Sequence, residues 1–201
     1  MSRHSYGARD VGATWARAAI LSVGFVALLW AIEVLDALWS EDLDTYGVRP
    51  RDEDGLLGVA FAPLLHAGWD HLSGNTVPVL VLAFLVLVGG TGRGLAATAV
   101  IWLVGGLGVW LTAPAYSIHL GASVLVFGWL VYLMVRGVFT RSAGEIILGI
   151  VLFLAYGGLL LGVLPGQPGV SWQGHLFGAV GGALAASWVD RRGRAGPPSR
   201  V

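Results

Sequence analysis

Apolar residues along this chain come in long blocks separated by short polar stretches, and the length of a block decides what it can form. A helix crossing a bilayer needs about 20 mostly apolar residues, because roughly 30 Å of hydrocarbon is covered at 1.5 Å per residue. Blocks of that length lie at about 16–38, 72–90, 94–112, 119–136, 144–164 and 171–189. The pattern predicts an all-α membrane protein: a six-transmembrane-helix bundle over residues 16–190, an N-terminal tail over 1–15 and a basic tail over 191–201. Between the first two blocks lies a connection of roughly 33 residues, too long for a bare loop. Its apolar stretch GLLGVAFAPLLHAGW (55–69) is too short to cross, so a partly helical element at the membrane interface is expected. Small residues recur at Gly105, Gly106, Gly121, Gly128, Gly174, Gly178 and Gly182, a spacing that lets membrane helices approach closely.

Composition sharpens this reading by exclusion. With 56% hydrophobic and 12% charged residues the chain is far from a soluble domain, in which about a quarter of residues are charged. A formal charge of +0 gives no electrostatic basis for nucleic-acid binding, and the absence of cysteine excludes disulfides, thiol catalysis and thiolate metal sites. Any chemistry rests on Ser, His, Asp, Glu or backbone, and no cofactor is expected.

All 12 basic residues are arginine. Arg3, Arg9, Arg17, Arg93, Arg136, Arg141, Arg191, Arg192, Arg194 and Arg200 fall on one side of the expected bundle. Arg49 and Arg51 fall on the other, among Glu41, Asp42, Asp44, Asp52, Glu53, Asp54 and Asp70. By the positive-inside rule both termini are cytoplasmic and the acidic connection is outside, which predicts a multi-pass protein of the cell membrane. The first block is long and follows a hydrophilic tail, so it reads as a retained anchor and not a cleaved signal.

Polar side chains inside a bilayer are expensive and are functional candidates by default. They are few here: His71 and Asn75 at the start of the second block, Ser123 in the fourth and His175 in the sixth, with His66 and His119 just outside. Counted from the cytoplasmic ends at 1.5 Å per residue, Asn75, Ser123 and His175 lie at about 22, 20 and 22 Å. Three helices thus carry polar groups to one depth. A serine hydroxyl becomes a good nucleophile when a base takes its proton, and imidazole is the usual base near neutral pH. Ser123 near a helix N-terminus would have free N–H groups for an oxyanion, and His71 and Asn75, spaced i,i+4, share a helix face from which to donate. No carboxylate is placed to complete a triad, so a Ser–His dyad is the economical reading. Phe127 lies one turn after Ser123, where it can stack on His175.

Each residue also has a plainer reading. Ser123 could bond its own i−4 carbonyl, His175 could be a packing residue satisfied by a backbone carbonyl, and His71 and Asn75 could cap or buttress their helix. His66 and His119 read first as interface residues, with His119 a candidate second donor or substrate contact. A histidine metal site would need three or four convergent ligands, and none is expected.

At these residues the sequence resembles the rhomboid family of intramembrane serine proteases. HAGWDHLSGN (66–75) is similar to the family's histidine-rich entry to the second span, GASVLVFG (121–128) to its nucleophile motif and GHLFGAVGG (174–182) to its histidine motif, in the family's order. The resemblance implies Ser123 as nucleophile, His175 as general base, and His71, Asn75 and the Ser123 N–H as the oxyanion hole. It implies Phe127 as the aromatic packed on the histidine, with Gly121 and Gly178 in support. It further implies substrates that are transmembrane segments of other proteins with small residues before the scissile bond, cut near the outer face. Val124 stands where many members carry glycine, and its β-branch could crowd the oxyanion hole. That departure is the feature favouring the alternative, a catalytically inactive relative that binds transmembrane helices without cutting them.

Overall fold

The computed structural model describes residues 4–39 and 42–192, with side chains over 11–39 and 42–188. Arg3, Glu41, Arg194 and Arg200, and the side chains of Arg9, Arg191 and Arg192, therefore lie outside the described residues. Among the described residues are seven α-helices: α1 (His4–Leu38), α2 (Leu57–Phe61), α3 (Trp69–Val88), α4 (Thr91–Thr112), α5 (Ser123–Thr140), α6 (Ala143–Tyr156) and α7 (Trp172–Arg192). They contain no strand, only an isolated antiparallel bridge between Val48 and His119.

Five segments are long and apolar enough to cross a membrane: Val11–Leu38 of α1, then α3, α4, α5 and Ala143–Val163. The sixth expected block differs. α7 has the length, at 21 residues, but carries Gln173, His175 and a run of Gly and Ala in place of large apolar side chains. Its position gives the reason. α7 packs on α4 and α5, and a helix face packed closely on protein has no need of large apolar side chains. Gly178 and Gly182 face the Val124 and Gly128 carbonyls of α5 so closely that a β-carbon at either position would collide with them.

α5 is the centre of the bundle, with 61% of its apolar window buried against 11% for Ala143–Val163. Leu125, Leu130, Tyr132 and Leu133 of α5 are fully buried, with Ile101 of α4 and Leu82 of α3. Helix α5 runs on past the expected end at 136, so Arg136 is not a loop charge. It is buried inside α5, paired with Glu145 of α6 at 2.8 Å, with its guanidinium 5.3 Å from the centre of the Tyr132 ring.

Two other boundaries moved. α1 begins at His4, so most of the expected tail 1–15 is already helical. The fifth block is not one α-helix: after Tyr156 the chain tightens into a 3₁₀ stretch, Gly157–Val163, beginning at the Gly157–Gly158 pair. The connection between α1 and α3 is partly helical, as its apolar stretch suggested, with short helical turns at Leu43–Tyr46, Asp54–Leu56 and Ala62–Leu64 around α2. Two tryptophans of α4 hold it down: Trp110 Nε1 donates to the Asp52 carbonyl at 2.9 Å and Trp102 Nε1 to that of Val59 at 2.8 Å.

Candidate active site

The segment entering α5 is fixed from several directions before the helix begins. Gly121 has φ +117°, a conformation that L side chains rarely adopt, and a β-carbon there would lie 2.6 Å from His71 Cε1. Its N–H donates to the Ala62 carbonyl at 2.8 Å, and the next N–H, of Ala122, donates to His66 Nε2 at 3.3 Å. α5 then starts at Ser123 with no side-chain cap, so its first N–H groups are left available at the positive end of the helix dipole.

His175 stands in the first turn of α7, its N–H bonded to the Ser171 carbonyl at 3.1 Å. The close glycine contacts of α7 with α5 bring its Nε2 to 3.0 Å from Ser123 Oγ. The other ring nitrogen, Nδ1, lies 2.9 Å from the Gly162 carbonyl. A carbonyl only accepts, so Nδ1 carries the proton and Nε2 presents its lone pair to the serine hydroxyl. Phe127 stacks on the imidazole with ring centres 3.9 Å apart and planes 8° from parallel. The ring is thus held by a face and an edge, in the tautomer that can accept a proton from Ser123.

His71 and Asn75 of α3 line the same cavity as Ser123 and His175, a space of about 570 Å³. His71 Nδ1 accepts from the Ala67 N–H at 3.3 Å, which leaves the proton on Nε2; a β-carbon on Gly121 would lie 2.8 Å from that nitrogen and 3.6 Å from Ser123 Oγ. Asn75 spends one amide proton on the His71 carbonyl at 2.9 Å, as the plainer buttressing reading required, and keeps a second donor. A smaller recess of about 30 Å³ adjoins Ser123, walled by Gly105, Gly106, Val109, Val124 and Gly174.

The sequence agrees with this geometry at the level of the whole domain. It matches the family model of the Rhomboid domain over residues 53–192. The chain belongs to the rhomboid family. An uncharacterized protein of Mycobacterium tuberculosis is 52% identical over 182 residues, covering 85% of this chain and 76% of the relative. One of Mycobacterium leprae is 45% identical over 192 residues, covering 90% and 76%. A Bacillus subtilis protein provisionally named a rhomboid protease, YdcA, is 29% identical over 165 residues, covering 79% and 81%. No solved structure matches the chain.

Within this rhomboid, Val124 does not crowd the cavity that His71, Asn75 and His175 line. Its side chain turns toward α4, where a β-carbon on Gly105 would collide with Val124 Cγ2. Three participants take parts that sequence reasoning did not assign to them. The Gly162 carbonyl takes the place a carboxylate would hold behind His175, and the Gly157–Gly158 pair was the one signal that the helix could break there. His66 is buried, 2% exposed, and fixes the Ala122 N–H instead of sitting at an interface; burial and the neighbouring His71 push its pKa down to about 4. His119, whose pKa burial also lowers, bonds Ser171 Oγ through Nδ1 at 2.7 Å and Ser117 Oγ through Nε2 at 2.8 Å.

Among the described residues the one group of three convergent metal-type ligands is Asp36, Asp42 and Asp44, in and after the end of α1. Burial and the charges of Asp36, Asp42 and Glu33 raise the Asp44 pKa to about 6. Asp36 is already engaged by the Leu43 N–H at 2.7 Å and Asp42 by the Asp44 N–H at 3.0 Å.

Proposed function

We propose that this rhomboid is an intramembrane serine endopeptidase that cuts transmembrane segments of other membrane proteins with a Ser123–His175 dyad. The observation that carries the reading is the pair of contacts at the His175 ring: Nδ1 lies 2.9 Å from the Gly162 carbonyl, which only accepts, and Nε2 lies 3.0 Å from Ser123 Oγ, inside a cavity shared with His71 and Asn75.

In the proposed reaction Ser123 Oγ attacks the scissile carbonyl while His175 Nε2 takes the hydroxyl proton. The oxyanion is held by His71 Nε2–H, the free Asn75 amide proton and the Ser123 N–H. Collapse breaks the C–N bond, the imidazolium gives its proton to the leaving amine, and water, deprotonated by the same nitrogen, releases the acyl group and restores Ser123. The Gly162 carbonyl and the Phe127 face steady the imidazolium in place of a carboxylate. The 30 Å³ recess beside Ser123 suits a small side chain before the scissile bond. A peptide bond locked in helical hydrogen bonds resists attack, so the substrate helix unwinds locally to enter.

This function sets the membrane frame. α7 is the sixth crossing, its polar and small residues tolerated where it packs on α4 and α5 and its Val180, Leu184 and Trp188 left exposed to lipid. Both termini face the cytoplasm of a cell-membrane protein, and the cavity opens toward the outer side, where the acidic connection lies. The alternative, a helix-binding relative without activity, rests on Val124; what favours the protease is that this side chain lies toward Gly105 and does not line the cavity shared by His71, Asn75 and His175. The test is cleavage of a single-span model substrate by the full chain in proteoliposomes. Cleavage by the native protein and none by Ser123→Ala supports the protease; equal cleavage by both, or intact substrate with tight binding, overturns it.

A further inference from the structure

The chain carries a second serine–histidine contact four residues behind the first in each segment. His119 precedes Ser123 by four residues and Ser171 precedes His175 by four, and His119 Nδ1 lies 2.7 Å from Ser171 Oγ. The protons around this pair can be assigned one by one. Ser117 Oγ donates its only proton to the Pro114 carbonyl at 2.6 Å, so at its 2.8 Å contact with His119 Nε2 the ring nitrogen is the donor. With the proton on Nε2, Nδ1 is an acceptor and takes the Ser171 hydroxyl proton. Ser171 Oγ accepts in turn from the Gly174 N–H at 3.3 Å, as the N-cap of α7. Every donor in the series is used, and both nitrogens of His119 are occupied.

The backbone beneath His119 is equally fixed. Its N–H donates to the Val48 carbonyl at 3.0 Å and its carbonyl accepts from the Val48 N–H at 2.8 Å. The segment 119–122 is therefore tied to Val48, Ala62 and His66, and of these ties and the His119–Ser171 bond, only the latter reaches α7, the helix that bears His175.

We propose that His119 is a positioning residue for the reaction: as the neutral Nε2–H tautomer it clamps the N-terminus of α7 to the segment entering α5, and so sets the Ser123–His175 contact. The inference rests on the protease reading of Ser123 and His175. A role in touching substrate is disfavoured because no ring N–H or lone pair of His119 is left over. A half-buried neutral ring is also what its lowered pKa provides. The clamp acts on alignment alone, and misplacement of reacting groups by about 1 Å can lower a rate by on the order of a hundredfold.

The test uses the full chain in proteoliposomes, with a fluorogenic single-span peptide for kcat and KM and a fluorophosphonate for the labelling rate of Ser123. His119→Leu removes the clamp but leaves Ser171 as the cap; kcat falls on the order of tenfold to a hundredfold with KM within about twofold, and labelling slows in parallel. His119→Asn keeps an oxygen to accept the Ser171 proton and recovers most of the lost kcat. Should His119→Leu not fold, Ser117→Ala decides, since without its acceptor the ring is free to take the other tautomer; kcat falls severalfold at unchanged KM. The clamp is overturned by a kcat of His119→Leu within about twofold of native, by a rise in KM alone, by His119→Asn doing no better than His119→Leu, or, where it decides, by an unaffected Ser117→Ala. A native protein that neither cleaves nor labels at Ser123 overturns the protease reading itself and the clamp with it, whereas an active native protein indifferent to His119 overturns the clamp alone.

Discussion

Two serine–histidine pairs join the same two segments of this protein, each 52 positions apart in sequence, with the residue types exchanged. His119–Ser171 is the shorter contact, at 2.7 Å, and Ser123–His175 the longer, at 3.0 Å. Distance alone would therefore favour Ser171, against the proposed reading. The remaining hydrogen bonds separate them. Ser171 is a helix cap whose oxygen already accepts from Gly174, and its histidine is saturated by a second serine. Ser123 begins an uncapped helix, and its histidine is braced behind by the Gly162 carbonyl, with Phe127 stacked on its face. The donor His71 Nε2–H stands beside it. On the proposed reading one pair holds and the other reacts, and the inventory of partners is what supports that division.

The largest effects should come from the reacting pair. Ser123→Ala and His175→Ala each lower cleavage of a model substrate by at least about a thousandfold, and the double variant is little worse than either, since the two act as a unit. Ser171→Ala stays well above both; equal loss would erase the distinction between the pairs. Next is the oxyanion donor: His71→Ala lowers kcat on the order of a hundredfold with little change in KM. Gly121→Ala ranks third, because it forces a side chain onto a φ of +117° and into the His71 ring. It should destabilise the fold by about 1–3 kcal/mol, read from its denaturation midpoint, besides lowering activity.

The smallest effect is on pH. Unfolded, His66 titrates near its ordinary 6.5; folded, burial and the neighbouring His71 hold it at about 4. The stability conferred by a neutral His66 is thus complete above about pH 6.5 and is lost as pH falls toward 4, by up to about 3 kcal/mol. Thermal unfolding of the native protein should shift down over that window. His66→Gln, which retains an acceptor for the Ala122 N–H and does not titrate, should shift less; an identical shift would remove His66 as the cause.

Much of this was legible in the sequence because lipid makes polar residues conspicuous. Ser123, His175, His71 and Asn75 stood out by scarcity, and helical rise placed three of them at one depth before any contact was known. Gly121 and Gly178 were visible as small residues, although the positive φ of the former belongs to the turn and not to the letter. Other features were hidden for identifiable reasons. The Gly162 carbonyl is backbone, and no residue type announces it. His119 and Ser171 stand at the very first positions of their apolar blocks, where polar residues are ordinary, so nothing marks them as a pair. Arg136 looked like a loop charge because its partner Glu145 lies across a helix boundary that apolar run length does not locate. α7 shows a further limit of run length: it has the length of the other crossings, while its low hydropathy goes with a face packed on α4 and α5.

The most direct measurement is to treat the full chain in proteoliposomes with a fluorophosphonate and identify the modified serine by peptide mapping. A single adduct on Ser123, absent in Ser123→Ala and retained in Ser171→Ala, is the predicted result. An adduct on Ser171, or no adduct on a protein that cleaves its substrate, would contradict it.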